Sequence, residues 1–518
     1  MKTIKKLMTL VLSIAMVLAL GATAFAAENS VSTYSITIEN AAADHIYEAY
    51  QILAGDLTVD ASNKKVLSNL AWGSSVTDKG KAELGDVKNQ TLTNSADAAA
   101  FAKRVANYLS APVNKSGKQS NGKYTISNLP AGYYLVKDQD NTLTNKNDFY
   151  TAYIMEVVGD VTANPKGDKP SFEKKIKDAN DTTGVTSDWQ DSADYDIGDK
   201  IPFKLEGTVA ANYADYKTYR FVFHDKEEIG LTFNADTVEV YVDNNENGQL
   251  RSEEISKDKY EVKEKVEHVK KDGTTETHTF DVIFDNLKSI TSVKAGSKIR
   301  VEYMSTLNDK AVLGKQGNVN SAKLEFSNNP NVDQGGSTGE TPWDDVIVFT
   351  YQVVVNKHKN SLEGELLPGA EFTLSKKLSN ELTKDIAVVK SSDGTSFTFR
   401  GLDDGDYILT ETVTPSGYNT IDPITFTVTA THEIVWAADK GRTEILTGLT
   451  TGDIATGNIS FVASDDKGTL TTNVVNKQGS TLPSTGGMGT TIFYVVGTIL
   501  VLAAVVLLIT KKRMHADK

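Results

Sequence analysis

In the stretch Tyr407-Ile408-Leu409-Thr410-Glu411-Thr412-Val413, strand alternation puts Glu411 on the face of Leu409 and Val413 and turns a carboxylate toward the core. A carboxylate cut off from water needs a partner or a proton. Two groups are placed to meet it. Lys357 follows Tyr351–Asn356 on what reads as the first strand of that region, and Asn476 lies in Thr472–Lys477 on the last.

A second set stands upstream. In Ser171–Ile176, alternation with Phe172 and Ile176 points Lys174 inward and Lys175 outward. The closing strand of that region, Lys323–Pro330, puts Leu324, Phe326 and Asn328 on one face, and Asp225, Asp196 and Asp199 compete as its acid. A third pattern is oxygen-rich: Asp243, Asn245, Asn247, Gln249 and Glu254, with Gly248 at the sixth position, fit the spacing of a twelve-residue calcium loop. No helices flank it and a strand, Val238–Val242, runs straight in, so an Asn-Gly hairpin turn is the alternative. The seven histidines are scattered, and no GxSxG or HExxH motif occurs.

The elements that must position these groups are short alternating runs rich in Val, Ile, Thr, Tyr and Phe, bounded by Gly, Asn, Asp and Pro, the pattern of all-β sandwiches. One helix is expected at about 96–109, capped by Ser95 with Phe101, Val105 and Leu109 on one face. Asn164–Pro170 and Asn331–Pro342 read as linkers and divide the middle of the chain into domains 27–166, 167–340 and 341–480. Asn128–Val136 and Gly401–Leu409 share leucine, turn, glycine, tyrosine and apolar strand, so the first and third domains look related.

The ends are equally specific. Residues 1–26 carry Lys2, Lys5 and Lys6, an apolar run Leu7–Leu20 and Ala24-Phe25-Ala26, the three parts of a secretory leader. Thr491–Thr510 is apolar and of bilayer-spanning length, followed by Lys511, Lys512 and Arg513. Without leader and tail, 54 basic and 68 acidic residues become 47 and 67, a net charge of −20 that argues against nucleic acid or anionic lipid as a partner. There is no cysteine, so an exported chain must be stapled by other means or not at all.

Resemblances give these patterns a chemistry. Leu482-Pro483-Ser484-Thr485-Gly486, ahead of the apolar span and basic tail (482–518), resembles the LPxTG signal of sortase substrates. This implies cleavage after Thr485 and its transfer to an amine. The 341–480 region resembles a collagen-adhesin (Cna) B-type module, which implies an intramolecular isopeptide bond between Lys357 and Asn476 beside Glu411. An apolar core favours that chemistry by lowering the lysine pKa and raising that of the acid. In the second domain the resemblance implies Lys174, Asn328 and, as best match for the acid, Asp225. Each cross-link would be worth roughly 5 kcal/mol by chain entropy. The first domain's opening strand, Tyr34–Glu39, has no lysine, and no bond is expected there.

Val161-Thr162-Ala163-Asn164-Pro165-Lys166 resembles the pilin motif of sortase-assembled pili, although it departs from the commoner tyrosine-proline-lysine-asparagine form. Taken together, the features resemble those of a Gram-positive backbone (major) pilin. The resemblance implies tandem immunoglobulin-like β-sandwiches and export to the cell wall. It also implies polymerisation by a class C sortase from Thr485 to Lys166 of another copy. Further expected partners are peptidoglycan at the fibre base and minor pilins. No cofactor is required by this reading, calcium being the one metal expectation, and the chain is not expected to be an enzyme. A singly displayed wall-anchored adhesin is the alternative, and a wall hydrolase would need a catalytic pair that is not visible.

Overall fold

The computed structural model describes residues 32–479 and 489–514, apart from 91–94, 120, 166, 247, 270–272, 332–336, 433–435, 438–440, 443–445 and 452–458. The expected leader, Lys166 and the pentapeptide Leu482–Gly486 lie outside the described residues.

Residues whose alternation predicts strands do form strands, in several sheets with few helices, so the fold is all-β in character. The chain divides into two units: 1–180 with 185–350 and 432–447, and 181–184 with 351–431 and 448–518. The break falls at Thr350/Tyr351, against the expected 340/341, because Asp344–Phe349 pairs with Asn318–Ser327 of the first unit.

Within the first unit, the two domains expected there have separate sheets. In the N-terminal part, Tyr47–Val59 and Gly132–Asp138 are central strands of one sheet. Successive side chains go to opposite faces. Tyr47, Ala49, Tyr134 and Val136 pack on one side with Ile36 and Ile38 of Thr33–Ile38. Tyr50, Ile52, Tyr133 and Leu135 pack on the other with Phe101 and Val105 of the helix Ser95–Ala106. A further helix, Asp78–Leu84, is capped by the Thr77 side chain on Gly80 N.

The rest of the first unit is a sandwich. One sheet runs in the order Gln249–Glu254, Leu231–Glu246, Lys298–Leu307, Lys200–Thr208, Phe172–Ile176. The facing sheet holds Asp344–Phe349, Asn318–Ser327, Phe221–Glu227, Thr275–Phe284 and Glu261–Val269 as successive neighbours. Phe203, Phe221, Phe223, Phe280, Tyr303 and Leu324 fill the space between.

In the second unit, Tyr351–Lys359 lies parallel to Thr469–Asn476, register Gln352 to Thr469 through Lys359 to Asn476. Glu371–Lys377, Gly405–Val413 and Ile424–His432 are neighbours in the facing sheet. The two consecutive strands Ser396–Leu402 and Gly405–Val413, which pass from one sheet to the other, repeat Tyr124–Pro130 and Gly132–Asp138. In each, a buried tyrosine hydroxyl donates to the carbonyl four residues back, Tyr407 to Asp403 O at 2.7 Å and Tyr134 to Pro130 O at 2.8 Å.

The C-terminal helix is Gly489–Met514. Among the described residues no helix is long and apolar enough to cross a membrane.

Candidate functional site

Two buried clusters each gather an amine, a carboxyl and a carboxamide. In the second unit, Lys357 and Asn476 are fully buried and Glu411 nearly so. Strand alternation delivers them: Lys357 follows Val353 and Val355 on the inner face, and Glu411 follows Tyr407 and Leu409. Lys357 Nζ is 3.3 Å from Glu411 Oε1, and Asn476 Nδ2 donates to that same oxygen at 2.9 Å and to Oε2 at 3.0 Å. One carboxyl oxygen thus touches both amine and carboxamide. Asn476 Nδ2 also donates to Asn419 O at 2.9 Å, while its Oδ1 has no hydrogen-bond partner. The Lys357–Glu411 approach is an ion pair too poorly aligned to count as a hydrogen bond. Burial lowers the Lys357 pKa against the pull of Glu411.

The first unit holds the other cluster. Lys174 Nζ lies 2.5 Å from Asp225 Oδ2 and 2.8 Å from Tyr303 Oη, and Tyr303 Oη donates to the same Asp225 oxygen at 2.8 Å. Lys174, Asp225 and Tyr303 are essentially without solvent contact. Burial pushes Lys174 down and Asp225 up, both toward their neutral forms. Asp225 is therefore the acid beside Lys174. Its competitors sit elsewhere, Asp196 N donating to Asp199 Oδ2 at 3.1 Å.

The asparagine is where sequence reading and structure part. Asn328 lies just past the end of Asn318–Ser327, and its Nδ2 donates to Asp148 O at 3.0 Å while its Oδ1 accepts from Ser337 Oγ at 2.7 Å. It joins the N-terminal part of the unit and does not face Lys174. Asn320, on the same alternating face eight residues earlier, stands in its place: Nδ2 donates to Tyr303 Oη at 2.9 Å and to Glu227 Oε1 at 3.3 Å, and Oδ1 has no hydrogen-bond partner. Glu227 was also missed. Burial first, and then the charge of Asp225, push it up to about 8.

The N-terminal part has a different cluster at the equivalent position. In the repeated two-strand segment, Asp138 occupies the place of Glu411, and it is bonded to His45 Nδ1 at 2.6 Å, with Asp148 Oδ2 3.2 Å from the other ring nitrogen. The described groups on Asp138 are thus His45 and Thr151, which donates from its N and Oγ1. Burial opposes the charge on His45, but Asp138 and Asp148 outweigh it and raise its pKa from 6.5 to about 9. A raised folded-state pKa stabilises fully below 6.5, and the contribution fades as pH rises through 9. The melting temperature of the first unit should therefore decline between neutral pH and pH above 9, and His45→Gln should flatten that decline in a pH series of thermal melts.

The expected calcium ligands are laid along a hairpin instead of around a loop. Asp243 pairs with Ser252, Asn245 with Leu250, Glu246 with Gln249 and Tyr241 with Glu254. Asp243 is taken by Arg300 Nε at 2.7 Å and by Ser252 Oγ. Asn247 lies outside the described residues.

The described flanks of Lys166 are held: Asn164 Oδ1 accepts from Asn40 Nδ2 at 2.9 Å, and Gly167 lies against the Phe149 ring, where a Cβ would come within 2.2 Å. Gly167 and Asp168 line a cavity of about 630 Å³ together with Lys103, Arg104, Ala211 and Asn331.

Comparisons with known proteins agree with this picture. Residues 352–441 match the family model of the SpaA prealbumin-like fold domain, and residues 474–515 match the LPXTG cell wall anchor motif. The trypsin-resistant surface T6 protein of Streptococcus pyogenes serotype M6 is 25% identical over 282 residues, which cover 45% of this chain and 50% of the relative. The chain thus spans about half the length of the curated relative it matches. The solved structure of the T6 backbone pilin of serotype M6 Streptococcus pyogenes, described as modular and three-domain, aligns with a TM-score of 0.50 at 17% identity, covering 87% of this chain and all of that one.

The class so defined is a multidomain, all-β surface protein carrying a cell-wall anchor that marks it for sortase processing. Within that class, the chain is similar in part of its sequence to a streptococcal surface protein and in fold to a solved backbone pilin.

Proposed function

We propose that the chain is the backbone subunit of a covalently polymerised pilus. A class C sortase joins Thr485 of one copy to Lys166 of the next, and isopeptide bonds Lys357–Asn476 and Lys174–Asn320 brace each copy internally. The observation that carries this reading is the coexistence of a cell-wall sorting signal with two dry amine–carboxyl–carboxamide clusters in one chain. The held flanks Asn164 and Gly167, and the cavity that Gly167 and Asp168 line, support the use of Lys166 as the receiving amine. The role is structural, with sortase the catalyst; peptidoglycan receives the base of the fibre, and minor pilins are further partners.

The internal chemistry follows from the geometry. Burial leaves the Lys357 amine with its lone pair, which attacks Cγ of Asn476. The Nζ–Cγ bond forms, the Cγ–Nδ2 bond breaks, and one Nζ proton travels through Glu411 to Nδ2, so that ammonia departs and Glu411 is restored. Rotating the Asn476 amide brings Oδ1 onto the Glu411 carboxyl. Lys174, Asp225 and Asn320 repeat the scheme, with Tyr303 bridging all three. Glu227, protonated at neutral pH, supplies a second acid beside the Asn320 carboxamide.

Polymerisation is tested on cell-wall extracts. Blotting should show a ladder of high-mass species that survives boiling in detergent, and Lys166→Ala should collapse it to monomer. An unchanged ladder in that variant would refute Lys166 as the acceptor. A single band from the unmodified protein would point instead to an adhesin displayed one copy at a time.

A further inference from the structure

Three histidines from three strands meet around one carboxylate in the first unit. His224 lies in Phe221–Glu227, His278 and Asp281 in Thr275–Phe284, and His268 in Glu261–Val269, three strands that are neighbours in one sheet. His224 pairs with Asp281 across one ladder, and His268 with Glu276 across the next. His224 Nδ1 and His278 Nδ1 each stand 2.9 Å from Asp281 Oδ1, and His268 Nε2 stands 2.9 Å from Oδ2. One nitrogen from each ring and one carboxylate oxygen all lie within 4.8 Å of one another. The three ring centroids are 4.5–5.1 Å apart.

We propose that His224, His268, His278 and Asp281 form a structural site for a divalent transition metal, with zinc the ion their donor set fits best. Three imidazole nitrogens and one carboxylate oxygen match a closed tetrahedral zinc shell. Bonds of roughly 2.0–2.1 Å put tetrahedral ligand atoms about 3.4 Å apart, a modest contraction that ring rotation supplies.

The surroundings favour a metal over a purely hydrogen-bonded cluster. Without an ion, three rings must all donate to two oxygens of one carboxylate. His278 Nε2, moreover, is buried with no hydrogen-bond partner. Behind the inward-facing nitrogens stand further carboxylates, Glu325 Oε2 at 3.8 Å from His224 Nε2 and Glu276 Oε2 at 3.7 Å from His278 Nε2. Outer carboxylates that orient histidine ligands are a recurrent feature of metal sites. They also offset charge, because a dication bound by three neutral imidazoles and one aspartate carries a net positive charge. Asp281, His224 and His278 are buried, whereas the His268 side chain is 37% exposed and gives an ion a way in.

The site would clip the hairpin Glu261–Val269/Thr275–Phe284 to the strand that also carries Asp225. His224 and Asp225 are consecutive and face opposite ways. The ion therefore fixes the outer face of the strand whose inner face holds the acid of the Lys174 cluster.

The test uses the purified full chain, stripped with chelator and titrated with Zn²⁺ against a chromophoric competitor. One Zn²⁺ per chain is expected, and Co²⁺ in its place should give the visible absorption of a tetrahedral site. His268→Ala, at the exposed rim, should weaken Zn²⁺ at least as much as the roughly 10–100-fold that outer-shell changes cost, whereas His358→Ala should leave it unchanged. If stripped protein binds no Zn²⁺ above the His268→Ala level, or Co²⁺ stays octahedral and pale, the assignment is overturned. The Co²⁺ spectrum of the unmodified chain decides the matter even if the variant misfolds.

Discussion

Replacing Glu411 with alanine should restore one ammonia to the intact mass of the chain and sharply lower the melting temperature of the second unit. Lys357, Glu411 and Asn476 share one carboxyl oxygen in a core closed to water. Without that oxygen nothing carries a proton from the amine to the leaving nitrogen. The cross-link would close a loop of more than a hundred residues, and its loss costs roughly 5 kcal/mol by chain entropy. For a domain of this size that is a fall on the order of 15–20 °C. Asn476→Ala should match it in both mass and melting behaviour. A Glu411→Ala protein whose mass deficit equals that of the parent would show that Glu411 takes no part in bond formation.

The second large effect separates two asparagines. Asn320→Ala should abolish the ammonia loss of the Lys174 cluster, and Asn328→Ala should leave it intact. Asn320 reaches Tyr303 Oη, which itself touches Lys174 and Asp225, whereas Asn328 is committed to Asp148 O and Ser337. Peptide mapping should find Lys174 joined to the peptide bearing Asn320. A cross-linked peptide containing Asn328 in its place would reverse the assignment. With the bond absent, Lys174 and Asp225 remain an uncompensated buried pair, and a loss similar to that in the second unit is expected.

These two sites mark where sequence patterning suffices and where it runs out. Glu411, Lys357 and Lys174 were legible because a polar residue on the apolar face of an alternating strand has one direction to point. Alternation gives the face but not the distance along the strand. Asn320 and Asn328 have the same parity, and only the pairing of Asn318–Ser327 with Phe221–Glu227, Asn320 opposite Glu227, locates the useful one. The calcium spacing suits a coiled loop, while Val238–Val242 continues into a paired hairpin that lays Asp243, Asn245, Gln249 and Glu254 along two strands, an arrangement no local spacing records. The histidines looked scattered because His224 is brought to His268 and His278 only by the ladder between Phe221–Glu227 and Thr275–Phe284, strands more than forty residues apart, which no local spacing records.

The parallel pairing of Tyr351–Lys359 with Thr469–Asn476 also sets a clock. Gln352 and Thr469 are 117 positions apart, so of the two neighbours of Tyr351–Lys359 the strand Ser396–Leu402 is available much sooner than Thr469–Asn476. In the proposed chemistry, Lys357 has no carboxamide to attack until Thr469–Asn476 arrives. Docking of Thr469–Asn476 brings the carboxamide and excludes the solvent in the same movement. In the proposed chemistry, the later strand is thus both the reactant and the element that sets when the bond can form.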